Sequence, residues 1–121
     1  MSSIDEAQRS ATEAIASPGD WLTGAKRIAA WRETRAADTN ELDQKRRRAL
    51  SPNAVSGSHA GTAELSAPAM EVVHRTASDP GRLTRSWAAE QIAAIGEETY
   101  TELIGVTAIV TVIDRFQRAM G

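Results

Sequence analysis

Cysteine is absent from this chain. It therefore has no disulfide, no thiolate to ligate a metal and no sulfur nucleophile, and thiol redox chemistry is excluded. A cysteine-free chain fits a reducing compartment, and a cytoplasmic location is the expectation. Aromatic residues are also scarce, with three Trp, one Tyr and one Phe in 121 residues. The core must then be built mainly from Ala, Leu, Ile and Val, which bury less area per residue. Neither sign of charge dominates: 14 Lys and Arg stand against 16 Asp and Glu, a formal net charge of −2. No global attraction to phosphate backbones or anionic lipid follows. The longest apolar run, residues 103–113, falls well short of the about 20 residues a membrane helix needs. Residues 1–15 mix Asp5, Glu6, Arg9 and Glu13 with small side chains, without the apolar stretch of a signal peptide. No membrane segment is expected.

What is present is ordinary globular material, 41% hydrophobic and 25% charged, in a length that suits one domain over residues 1–121. The spacing predicts an all-α bundle of about five to six helices. Residues 3–16 read as a weakly anchored first helix, ended by Ser17, Pro18 and Gly19. A second is expected from Trp21, capped by Asp20, with Ala25, Ile28 and Trp31 on one stripe. Asp38, Thr39 and Asn40 precede a charged helix over residues 41–50, in which Glu41 with Lys45 and Asp43 with Arg47 have the favourable four-residue spacing. Residues 53–62 read as a Ser/Gly loop containing His59. Ser66 and Pro68 open a helix to about Ser78, and residues 83–95 form another, closed by Gly96.

The last helix is expected to start at Glu97 and carries Leu103, Val106, Ile109, Val110, Val112, Ile113 and Phe116, apolar in most directions. Four or five short helices do not easily cover such a rod, so a homo-oligomer joined through residues 103–116 is expected. Gly105 and Ala108 would allow a second helix to approach closely.

The residue types with chemistry to offer are few. His59 and His74 are the only histidines; they suit proton transfer on a small organic ligand, with Asp43 or Glu33 as acid partners, but stand at no recognised metal-ligand spacing. Asp38, Asn40, Glu41 and Asp43 do not form the Asp-x-Asp-x-Asp-Gly loop of calcium sites, and helix capping accounts for them. No Gly-rich phosphate cradle or nucleophile elbow is present, so neither cofactor nor metal is expected. Lys45, Arg46, Arg47 and Arg48 form a basic run, but consecutive helical residues diverge and no aromatic platforms interleave, which argues against nucleic-acid binding. Asp114 follows the apolar run, with Arg118 one turn on as its expected partner.

Several segments together carry a resemblance: residues 21–27 (WLTGAKR), residues 48–55 (RALSPNAV), residues 72–75 (VVHR) with 82–85 (RLTR), and the ending from residues 102–106 (ELIGV) to 114–116 (DRF). They resemble alkylhydroperoxidase-related proteins of the carboxymuconolactone decarboxylase-like group. The resemblance implies an all-helical, alkylhydroperoxidase D-like fold that associates into dimers, trimers or hexamers. Redox-active members of that group reduce peroxides with a Cys-x-x-Cys pair at a helix start. An alignment anchored on residues 49–52 places Asn40 and Asp43 at those two positions. Neither side chain can cycle through sulfenic acid and disulfide. The resemblance therefore implies a redox-inactive member, acting as an oligomeric binding or structural protein, or else a non-thiol enzyme using His and acid groups.

Overall fold

The structure, a computed structural model, describes residues 23–120. The expected helix over residues 3–16, the stop after it, the cap at Asp20 and Trp21 lie outside the described residues. Five α-helices follow in order: α1 (Gly24–Ala36), α2 (Glu41–Arg48), α3 (Ala67–Ser78), α4 (Arg85–Ile95) and α5 (Glu97–Met120). Two short 3₁₀ turns, Pro52–Ala54 and Pro80–Arg82, follow α2 and α3. No strand occurs among the described residues, so the all-α expectation holds, including for the β-branched run in α5.

Local chemistry sets most helix starts. Thr23 is extended, and its hydroxyl accepts the Lys26 amide at 3.2 Å. Hence α1 begins at Gly24, three residues later than expected from Trp21. Asn40 Oδ1 accepts the Asp43 amide at 3.1 Å to open α2. Ser66 caps α3, with a proline in its first turn, and Thr84 caps α4. Each cap satisfies an amide that the helix itself leaves free. Gly96 takes a positive φ of 90° between α4 and α5, a conformation that favours glycine.

The buried centre is α3, which packs against all four other helices. Residues 72–76 of α3 are buried without interruption. Val72 and Val73 join Ala30 of α1, Trp87 of α4, and Leu103, Val106 and Val110 of α5 in one core. Full burial of a Val or Leu side chain contributes about 1.5–3 kcal/mol, so this small aliphatic cluster holds the bundle despite its few aromatics.

The terminal helix is covered by the other helices along one side only. It buries Leu103, Val106, Thr107 and Val110, a single stripe at helical spacing. Ile109, Val112, Phe116 and Met120 remain exposed. Its Asp114 is paired with Arg35 of α1 at 2.9 Å rather than with Arg118, because α1 lies alongside and its guanidinium reaches both carboxylate oxygens.

Two further local expectations are overturned by tertiary contacts. Glu41 with Lys45 and Asp43 with Arg47 are not among the ion pairs of α2. Asp43 turns inward, fully buried, and Arg47 donates to the Ser78 carbonyl at 3.1 Å. Arg46 is buried against Glu71, and Arg48 turns back onto the Gln44 carbonyl. Of the basic run, Arg46 alone is buried, while Lys45, Arg47 and Arg48 stay exposed. Arg82 completes α2 from the other side: its guanidinium donates to the Arg46, Arg47 and Ala49 carbonyls at 3.0, 2.7 and 2.5 Å.

Candidate functional site

Where α1, α2 and α3 meet, five side chains form a cluster. Glu33 comes from the last turn of α1, Asp43 from α2, His59 from the loop before α3, and Glu71 and His74 from α3. Three of the four candidates named from sequence, Asp43, His59 and His74, are buried, and Glu33 is half-buried beside them. All four converge, although 41 residues separate Glu33 from His74.

Asp43 is the hub. Its carboxylate is inaccessible to solvent and faces both histidines. Oδ2 meets His74 Nδ1 at 2.5 Å, and Oδ1 lies 3.0 Å from His59 Nε2. The imidazole rings stack with centroids 4.0 Å apart and planes 25° apart. Each ring then meets a second carboxylate on its far nitrogen. His74 Nε2 contacts Glu33 Oε1 at 2.8 Å, and His59 Nδ1 contacts Glu71 Oε1 at 2.7 Å. Arg46 braces the other Glu71 oxygen at 2.9 Å and donates to the Gly57 carbonyl at 2.6 Å, tying the His59 loop to α2.

The contacts are not equivalent. His74 makes aligned hydrogen bonds to both its acids, whereas the His59 Nε2 and Asp43 Oδ1 atoms are close without hydrogen-bond alignment, and both are buried without another partner. Burial opposes charge on the His59 ring. Its contacts with Asp43 and Glu71 outweigh that and raise its pKa to about 9. Burial likewise pushes the Asp43 carboxyl up, but both histidines pull harder and hold it down at about 2. Glu71 is also lowered: burial raises it, and hydrogen bonds from the His59 ring and backbone, with Arg46 nearby, overcome that.

A cleft of about 570 Å³ opens beside the cluster, lined by Glu33, Ala36, Leu42, His59, Met70 and His74 among others. The volume suits a small organic molecule. His59, His74 and Glu33 are cluster groups at its wall. Asn40 also borders the cleft while its side chain caps α2.

Sequence reasoning missed Glu71 and Arg46 as members of the site. Glu71 lies three residues before His74 on α3, a spacing that puts the two side chains on one helical face, and this was the available signal. Arg46 gave none, being one cation in a basic run. Nor do the histidines' positions, fifteen residues apart across a loop, show that their rings stack. Comparison with protein-family models, curated proteins and solved structures returned no match.

Proposed function

We propose that the chain is a non-thiol enzyme of the alkylhydroperoxidase and carboxymuconolactone decarboxylase-like group, moving a proton on a small organic substrate held in the cleft. The supporting observation is the line Asp43–His74–Glu33, which runs from the buried interior to the cleft wall through two hydrogen bonds. Asp43 orients the imidazole, His74 orients the Glu33 carboxylate, and Glu33 is the partly exposed end that meets substrate. A base fixed through a second group and then a third follows the logic of general acid–base sites. A carbon acid activated by a neighbouring carbonyl is the substrate class such a carboxylate can deprotonate. The absent cysteines fit this reading, since Asp43 occupies a position aligned with the pair and faces the histidines.

The test is a panel of small keto acids and lactones, screened by ligand-observed NMR and then followed for decarboxylation, isomerisation or solvent deuterium uptake. Turnover should fall by about 10²-fold or more in Glu33→Gln, the usual contribution of a general base. If no member of the panel binds, or if turnover is unchanged in Glu33→Gln, this reading fails.

A second reading, an oligomeric binding or structural protein, is favoured by a separate observation: Ile109, Val112, Phe116 and Met120 are exposed on α5. Self-association through that face is compatible with the enzymatic reading.

A further inference from the structure

We propose that Asp43, His59 and His74 bind a divalent first-row transition-metal ion. One ligand atom from each of the three buried residues lies within 4.8 Å of the other two. Bonds of about 2.0–2.2 Å to imidazole nitrogen and carboxylate oxygen would draw them around one ion once the 2.5 Å His74 Nδ1–Asp43 Oδ2 contact opens.

The misaligned pair points to what belongs there. Asp43 Oδ1 and His59 Nε2 are sealed from water, 3.0 Å apart, and share no aligned hydrogen bond. A buried polar atom without a partner costs about 1–3 kcal/mol, and these are two. A metal ion that displaces the His59 ring proton would take a lone pair from each of them at once.

The surrounding carboxylates supply an independent argument. A histidine that ligates a metal through one nitrogen commonly donates its other N–H to a carboxylate, which fixes the tautomer and raises ligand basicity. Both rings have this arrangement. Glu71 accepts at His59 Nδ1 and leaves Nε2 toward Asp43; Glu33 accepts at His74 Nε2 and leaves Nδ1 toward Asp43. Arg46 in turn braces Glu71. With neutral rings, three carboxylates against one guanidinium leave two negative charges in the cluster, which a divalent ion balances. Two imidazoles and a carboxylate select zinc, iron, cobalt or nickel over magnesium and calcium, which prefer oxygen alone. Three protein ligands leave coordination positions for water or substrate.

This inference deepens the proton-transfer reading by naming a cofactor for the same site, and binding is measured without substrate so that the two fail separately. Turnover that survives chelation would end the ion's role as a cofactor and leave proton transfer standing. The chelator-treated full chain is titrated with Zn²⁺ and with Co²⁺ by calorimetry, and Co²⁺ binding is followed by its visible absorption. The expected result is one ion per chain with a dissociation constant below about 1 μM, a visible band, and no comparable heat with Mg²⁺. His59→Gln and His74→Gln should each weaken binding at least 100-fold. Glu71→Gln, which keeps all three ligands, should weaken it about 10- to 100-fold, the range for removed outer partners. Absence of stoichiometric binding by wild-type chain that circular dichroism shows folded would overturn the proposal. So would binding that persists in the His59→Gln, His74→Gln double variant.

Discussion

Glu71 holds His59 twice with one oxygen: Oε1 accepts the backbone amide at 2.8 Å and meets the ring Nδ1 at 2.7 Å. One α3 side chain thus fixes both the position of the loop and the orientation of the imidazole it carries. With Arg46 on its other oxygen, Glu71 couples α2, the loop and α3. Removing one partner from a buried charge pair costs about 3–5 kcal/mol. Glu71→Ala should approach that range in urea denaturation, and Glu71→Gln, which keeps an accepting oxygen, should cost clearly less. Equal, negligible losses would show that the loop is held by other contacts.

The cluster makes stability depend on pH in both directions. His59 has a folded pKa near 9, above its ordinary 6.5, so its contribution is complete below pH 6.5 and fades as pH rises through 9. Asp43 has a folded pKa near 2, below its ordinary 3.8, so its contribution is complete above pH 3.8 and fades as pH falls through 2. Metal-free protein should therefore be most stable between about pH 4 and 6.5. Thermal unfolding followed from pH 3 to 10 checks this, and His59→Gln should flatten the alkaline decline. A midpoint that rises steadily from pH 6.5 to 9 would contradict the assignment.

Arg82 ends α2 from a distance of more than thirty residues. Its donors reach carbonyls of the last turn, where the helix runs out of amides to pair with them. Arg82→Ala should cost about 1–3 kcal/mol in unfolding free energy. Arg82→Lys should recover little of it, because a single ammonium cannot reproduce the planar fork. Full recovery by lysine would reduce Arg82 to a simple charge.

Gly61 sits where the loop turns into α3. A Cβ there would meet the Ala67 amide nitrogen at 2.9 Å and the Leu65 carbonyl oxygen at 3.3 Å, both backbone atoms that cannot swing aside. Gly61→Ala should destabilise the chain by about 1–3 kcal/mol, the usual cost of overpacking. Gly81→Ala, where a Cβ meets nothing within 4 Å, serves as the control. Similar stability for both variants in urea would remove the steric argument.

The exposed stripe on α5 gives a fifth expectation. Sedimentation velocity at micromolar concentration should show an oligomer, and Val112→Glu with Phe116→Glu should shift it to monomer while far-ultraviolet circular dichroism is preserved. A monomeric wild-type chain would remove self-association.

Much of the fold was legible because its signals are short-range. Asn40, Ser66 with Pro68, and Gly96 each act within three residues of the helix end they define, and such chemistry can be read in order along a chain. The same locality misled at Asp43 and Asp114. Each has a plausible partner four residues on, yet each takes a partner from another helix or loop, because buried contact with a ring or a two-pronged guanidinium outweighs an exposed helical pair worth a few tenths of a kcal/mol. Which helix lies at the centre was not legible either. The longest apolar run lies in α5, yet α3, with His74, Arg75 and Thr76 among its buried residues, lies at the centre, where His74 and Arg75 find polar partners.

By itself, then, the sequence determined the helical class, most helix ends and the absence of thiol chemistry, since composition and capping need no knowledge of neighbours. The candidates Glu33, Asp43, His59 and His74 were visible as residue types. Only the tertiary structure decided that they meet, that Glu71 and Arg46 complete them, and that the two rings stack over one carboxylate. Their convergence depends on how α1 and α2 pack on α3, and packing is a property of surfaces brought together across the chain rather than of any spacing along it.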